Sequence, residues 1–164
     1  MKRLFCIEAN SIIDSVPELK TIIHHEMNPH LCIEQQYFFL QQQEAKELEK
    51  LLLEVGLFEN ATQCVLLQGG VKGENFYDYG VECDQGIILD MSALCTFIIV
   101  KGDAIDRQMA EIQLSEHLVF TYKTEASGTI YYTESHLQEL MSGIAHAYHI
   151  EVEFLDLDKC NKKV

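Results

Sequence analysis

The sequence has few basic residues for its length, and this scarcity excludes several classes of partner. Twelve Lys and Arg residues stand against 26 Asp and Glu residues in a chain of 164, so the formal net charge is −14 at pH 7. A charge of this size repels nucleic-acid phosphates and anionic lipid headgroups. We therefore expect no direct nucleic-acid binding and no attachment to a membrane.

Proline, tryptophan and long apolar runs are also scarce. The chain has two prolines and no tryptophan, and no stretch rich in Pro, Gly or Ser marks a linker, so we expect a single globular domain over residues 1–164. The most apolar stretch, residues 86–100, contains Asp90 and is shorter than the ~20 residues that a membrane-spanning helix needs. At 48% hydrophobic residues the chain is too apolar to be disordered.

The six cysteines show no C-x-x-C pair and no short regular spacing. A disulfide framework is typical of shorter, loop-rich secreted chains, whereas free cysteines are commonly buried and stay reduced in the cytosol. The first residues reach Glu8 before any apolar stretch long enough for a signal peptide. We therefore expect a cytoplasmic protein with free thiols.

In the first half of the chain, hydrophobic periodicity and capping signals predict alternating strands and helices. The capping-box pattern Ser15-Val16-Pro17-Glu18 predicts a helix that ends before Asn28-Pro29. The predicted elements are a strand Leu4–Ala9, this helix, a strand Leu31–Leu40, a helix Glu44–Val55 and a strand Thr62–Leu67. The order is therefore β-α-β-α-β.

The second half groups its strands together. The strand-like runs are Phe76–Cys83, Gly86–Met91 and Leu94–Val100, followed by an ambiguous segment Asp103–Leu114, a hairpin Leu118–Lys123 and Thr129–Tyr132, a helix capped by Thr133, and a last strand His149–Leu155. Grouped strands are typical of α+β proteins. We predict an α+β fold with a largely antiparallel sheet and about three helices packed mainly on one face.

One group of residues has side chains that could bind a metal or catalyse a reaction. His24, His25, His30 and Cys32 lie close together in the sequence, and imidazole and thiolate are good zinc ligands. Their spacing matches no zinc signature, and histidines in the last turn of a helix also bind open carbonyls. We predict no metal and no cofactor, and keep an enzyme or metal-dependent protein using this region as the alternative function.

Other signatures of catalysis are missing. The sequence contains no G-x-S-x-G motif, and the glycines of residues 69–73 lack the following helix that a phosphate-binding loop requires. Cys95 lies in an apolar run typical of a buried, inert thiol. The sequence therefore favours a binding protein over an enzyme and identifies no catalytic residue.

Acidic residues and tyrosines coincide in two stretches without Lys or Arg, residues 74–90 and 124–158. Such a surface could attract a basic protein and anchor it through aromatic contacts, although it could also serve only to keep the protein soluble. The predicted partner-binding residues are Glu74, Asp78, Glu82, Asp84, Tyr131, Tyr132, Glu151, Glu153, Asp156 and Asp158.

These observations favour an acidic protein-binding module with a basic partner. By analogy of class alone, we expect an inhibitor or immunity-type protein that occludes a basic enzyme such as a nuclease toxin. A mimic of the DNA backbone would require carboxylates in evenly spaced rows. A homo-oligomer pairing through the exposed strand Leu31–Leu40 is a further possibility, opposed by repulsion between like-charged protomers.

Overall fold

The predicted α+β fold is confirmed by a computed structural model, which describes residues 1–124 and 128–155. Contacts divide the chain into two compact units. Unit 1 comprises Met1–Leu66 and Ile88–Ser92, and unit 2 comprises Leu67–Ile87 and the described residues from Ala93 onward. The expectation of one globular domain stays a prediction.

The structure has five α-helices and eleven β-strands within its described residues. The strands are β1 Lys2–Ala9, β2 Leu31–Ile33, β3 Gln36–Phe39, β4 Phe58–Leu67, β5 Val71–Lys72, β6 Gly80–Cys83, β7 Gly86–Asp90, β8 Leu94–Lys101, β9 Leu118–Thr124, β10 Gly128–Glu134 and β11 Glu151–Leu155. The helices are α1 Pro17–Ile22, α2 Gln42–Glu54, α3 Phe76–Tyr79, α4 Ala104–Ser115 and α5 Gln138–Ala147. None of them is both long enough and apolar enough to cross a bilayer.

In unit 1 the strand order is β2-β3-β1-β4, and each of these neighbours is antiparallel to the next. Leu48 and Leu52 of α2 and Ile23, just after α1, are fully buried in one core with Tyr37 and Phe39 of β3. The helical segments therefore cover the same face of this sheet. Their apolar residues recur every three or four positions, the period of a helix with one buried side.

Unit 2 repeats this arrangement with a sequence that shows no repeat. The elements β8, α4, β9, β10, α5 and β11 follow one another, and the strand order is β11-β8-β10-β9, antiparallel throughout. Both units are thus β-α-β-β-α-β (split β-α-β) arrangements. The short strand β5 adds to the free side of β9.

Two predicted strands are wrong in part. Residues 31–40 form a hairpin, β2 and β3, because Glu34 adopts a positive φ of 52° and reverses the chain. Residues 76–83 begin with the helix α3 before β6. Phe76 is fully buried there, and the burial of this one aromatic ring holds a helical turn where the aromatic residues predicted a strand.

Two predicted caps are also wrong. Ser15 ends a short 3₁₀ helix, Ser11–Ser15, and α1 starts after Val16 with no side-chain cap. Thr133 lies within β10 and is buried, and its hydroxyl donates a hydrogen bond to the His117 carbonyl instead. Hydroxyl side chains serve both purposes, so sequence position alone does not distinguish a cap from a buried tertiary hydrogen bond.

The packing of α2 generates a matched pair of predictions. Leu48 is fully buried in the core of unit 1, whereas Leu53 of the same helix is 57% exposed. We expect Leu48→Ala to lower the free energy of unfolding by about 2–5 kcal/mol and Leu53→Ala by less than about 0.5 kcal/mol. Urea unfolding followed by circular dichroism measures both, and equal losses would contradict the described orientation of α2.

Candidate partner-binding surface

The predicted contact residues of the first acidic stretch lie between positions 74 and 84, after β5 in unit 2. Its residues Glu74, Asp78 and Asp84 are exposed. Glu82 is exposed too, but it accepts a hydrogen bond from Lys72, which also donates to the Tyr77 hydroxyl at 3.2 Å. These bonds raise the pKa of the Lys72 ammonium. Glu82 is therefore part of a local ion pair, and three carboxylates of this stretch remain as open charges.

Tyr131 and Tyr132 do not present their rings to a partner, contrary to the expectation from sequence. They are 5% and 0% exposed, because successive strand residues point to opposite faces of the sheet and both faces are covered here. Tyr131 stacks on Phe97 at 5.2 Å, and Tyr132 meets Phe120 edge-on at 6.0 Å. Both tyrosines are core residues of unit 2.

The Tyr131 hydroxyl has a specific partner within this core. It donates a hydrogen bond to Glu111 of α4. Burial, followed by this carboxylate, raises the pKa of the Tyr131 phenol, and burial also raises the pKa of Tyr132. Tyr131 therefore fixes α4 to the sheet while remaining a neutral donor.

The second acidic stretch contributes Glu151 and Glu153 of β11, both exposed. Glu151 pairs with Lys101 across the strands at 2.6 Å. Asp156 and Asp158 lie outside the described residues. Val152 and Phe154, which alternate with these glutamates, pack against the core.

The two acidic stretches are not brought together. Strand β11 lies at one end of the order β11-β8-β10-β9-β5 and strand β5 at the other. Four inter-strand spacings of about 4.8 Å separate them by roughly 19 Å. The eight predicted residues that the structure describes therefore do not form one contiguous patch.

The helix α4 carries a surface that the sequence did not identify. Ile105, Met109 and Ile112 are 73%, 48% and 59% exposed. Spaced by four and three residues, they share one side of the helix. Ala110 and Leu114 occupy the opposite side and are fully buried. We call Ile105, Met109 and Ile112 the α4 stripe.

Acidic residues outnumber basic ones on α4 and at its ends. The acids are Asp103, Asp106, Glu111 and Glu116, and the helix carries a single base, Arg107. Arg107 donates its Nε–H to the Gly102 carbonyl at 2.9 Å, so it is held at the start of the helix. The α4 stripe is thus an apolar row on a helix whose charges are mostly negative.

Periodicity failed to predict α4 because the helix has two apolar sides. Stripes on opposite sides give no single amphipathic face, which left residues 103–114 ambiguous. A usable signal was present at the start: the Asp103 carboxylate accepts hydrogen bonds from the backbone N–H groups of Ile105 and Asp106, both at 2.9 Å. An N-cap aspartate of this kind marks a helix start.

The histidine and cysteine group lies in unit 1 and is brought together only in part. The Cys32 sulfur is 3.9 Å from Nδ1 of His24, whereas within residues 1–124 and 128–155 no three His, Cys, Asp or Glu side chains are placed to hold a metal ion. Burial raises the pKa of the Cys32 thiol, and the nearby Lys20 ammonium opposes the shift only in part. A neutral thiol is a poor nucleophile.

Comparison with known proteins adds no relative. No family profile, no curated protein and no solved structure matches this chain.

The cap of α4 gives a prediction with an internal control. Asp103→Ala removes the acceptor for two N–H groups, and we expect a loss of about 0.5–2 kcal/mol in the free energy of unfolding. Asp103→Asn keeps an acceptor of similar capping strength, so its stability stays close to that of the wild type. Thermal and urea unfolding compare the two variants. Equal losses would show that charge, rather than capping, acts at this position.

Proposed function

We propose that this protein is an acidic protein-binding module and that the α4 stripe of unit 2 is its main contact with a basic partner. The observation that supports this proposal is the position of Ile105, Met109 and Ile112 on the solvent side of α4, opposite its buried side. Single exposed apolar residues are ordinary, but rows of them rimmed by polar residues mark protein contacts.

The hydrophobic effect supplies the affinity in this proposal. Complete burial of a large aliphatic side chain contributes about 1.5–3 kcal/mol. In each residue of the α4 stripe, about half or more of the surface is exposed to solvent. A partner that covers the row gains part of this free energy from each side chain. Regular spacing along a helix suits a partner that lays an apolar groove or a second helix on it.

The sign of the charge selects the partner. Three acids on α4 or at its ends, Asp103, Glu111 and Glu116, are exposed, and the whole chain carries −14. Complementary charge speeds association and excludes acidic competitors. Glu74, Asp78, Asp84 and Glu153 then act at a distance, by steering a basic protein toward unit 2, rather than as contact residues.

A narrower form of the proposal is an inhibitor or immunity-type protein that occludes a basic enzyme such as a nuclease toxin. It is supported by the open acidic charge and by the lack of an activated nucleophile at Cys32. The proposed compartment is the cytoplasm, in keeping with the buried free thiols of Cys6 and Cys64. The alternative, an enzyme or metal-dependent protein, is supported by the contact between His24 and Cys32.

A matched pair of triple variants tests the proposal. Ile105→Gln, Met109→Gln and Ile112→Gln together remove the α4 stripe and retain helix propensity. Ile12→Gln, Leu53→Gln and Val55→Gln remove three side chains of unit 1 with similar exposure, 59%, 57% and 49%. Each tagged protein is used to capture partners from a lysate of its own organism at low and high salt.

We expect one basic protein to be retained near 1:1 by the wild type and by the unit 1 variant. Loss of three anchors in the α4 variant should weaken that complex at least tenfold, measured afterwards with the purified partner. Its association rate should fall with rising salt, because exposed charges are screened over about 8–10 Å. Retention of the same protein by all three baits, or of none, would contradict the proposal.

A further inference from the structure

A second feature, independent of the α4 stripe, lies in unit 1 where the helix after α1 meets the β2–β3 hairpin. The segment Ile23–Met27 winds as a π-helix, and its residue His24 approaches Cys32 of β2 with 3.9 Å between Nδ1 and Sγ. Single π-helical turns are rare and occur frequently at functional sites. Here the wider turn carries an imidazole nitrogen next to a thiol.

The third member of this cluster is Tyr37, which lies directly opposite Cys32 in the register of β2 and β3. Tyr37 is 1% exposed, yet its hydroxyl has no hydrogen-bond partner. Its ring meets the His24 ring edge-on, with centroids 6.2 Å apart. Nearly all buried polar groups are paired, so this hydroxyl marks a place where an acceptor is missing.

The charges around the cluster are already balanced. Lys20 lies near both Cys32 and Tyr37, and its ammonium forms a 2.7 Å ion pair with Asp14. Gln35 donates a second hydrogen bond to Asp14 at 2.6 Å. A ligand that enters beside Cys32 as a cation and replaces the thiol proton leaves this balance unchanged.

The spacing of sulfur and nitrogen fits a metal ion between them. With bonds of about 2.3 Å to sulfur and 2.0–2.1 Å to nitrogen, a separation of 3.9 Å corresponds to an angle of about 127° at the ion. This angle lies near the 120° of a trigonal ion. Zinc sites of the structural type require four ligands, and no third protein ligand joins this pair in the described chain. Thiolate is a ligand of Cu(I) as well as of zinc, and Cu(I) needs fewer ligands than the four of a structural zinc site.

We propose that His24 and Cys32 form a site for a soft monovalent cation of the Cu(I) class, in the cluster that also holds the Tyr37 ring. On binding, the metal–sulfur bond replaces the S–H bond of Cys32, and the proton leaves to solvent. The copper enters and stays as Cu(I), so no electron is transferred. Solvent or a small thiol completes the coordination.

The test uses Cu(I) alone, titrated anaerobically into the full-length protein against a chromogenic Cu(I) chelator. We expect the wild type to retain one equivalent. Cys32→Ser and His24→Asn should each weaken retention at least tenfold. The matched controls are His25→Asn, the neighbouring exposed histidine, and Cys95→Ser, another half-buried thiol; both should retain copper as the wild type does.

Two further measurements distinguish a site from a structural effect. X-ray absorption of the loaded protein should show one sulfur and one nitrogen from the protein bound to copper. Tyr37→Phe keeps the ring that meets His24, so it should retain copper with the stoichiometry and affinity of the wild type. Circular dichroism checks that each variant is folded.

The proposal is overturned if the wild type retains no copper, or if Cys32→Ser and His24→Asn retain it unchanged. It is also overturned if retention is lost in Cys64→Ser instead, because the ion would then bind at the buried thiols of Cys6 and Cys64. None of these outcomes bears on partner binding by unit 2, which uses other residues.

Discussion

The packing of one side of α4 against the sheet of unit 2 determines what this unit offers to a partner. The helix has two apolar sides, and only one of them is buried. Ala110 and Leu114 take the buried side because they face the core around Phe97 and Tyr131. Ile105, Met109 and Ile112 are left in solvent as a consequence, at a hydrophobic cost that a partner can remove.

The hydrogen bond from Tyr131 to Glu111 and the cap at Asp103 fix the orientation of α4 on the sheet. Rotation of α4 by half a turn would expose Leu114 and break the bond between β10 and the helix. The cap, the hydrogen bond and the core contacts all specify the same orientation of the helix. A sequence specifies one structure when its local signals, its packing and its polar contacts agree in this way. The exposure of the α4 stripe is therefore a property of the whole unit rather than of one helix.

Most elements could be predicted from sequence, because their apolar residues recur with one period. The helix α2 and the strand β11 are examples, since each turns its apolar residues to one side, with polar residues between. Prediction failed where tertiary contacts override local pattern: at the turn after Ile33, at Phe76, which one buried ring holds in a helix, and at α4 with its two apolar sides. The β-α-β-β-α-β arrangement that the two units share could not be predicted, because their sequences show no repeat.

The same limit applies to the candidate surface. The sequence shows which stretches are acidic. It could not show that Tyr131 and Tyr132 are buried, or that strands β5 and β11 lie at opposite edges of one sheet. An apolar row on a helix is indistinguishable from core until the fold shows which side is covered. In unit 1, Tyr37 belonged to a strand pattern, and only the structure revealed that its ring meets His24 and that its hydroxyl has no partner.

Photo-crosslinking inside cells shows whether α4 of unit 2 contacts a basic partner. A photoreactive amino acid replaces Met109 in one protein and Leu53 in another, two positions with 48% and 57% exposure in different units. We expect a single covalent adduct with one basic protein from position 109 and none from position 53. No adduct from position 109, or the same adducts from both positions, would contradict this expectation.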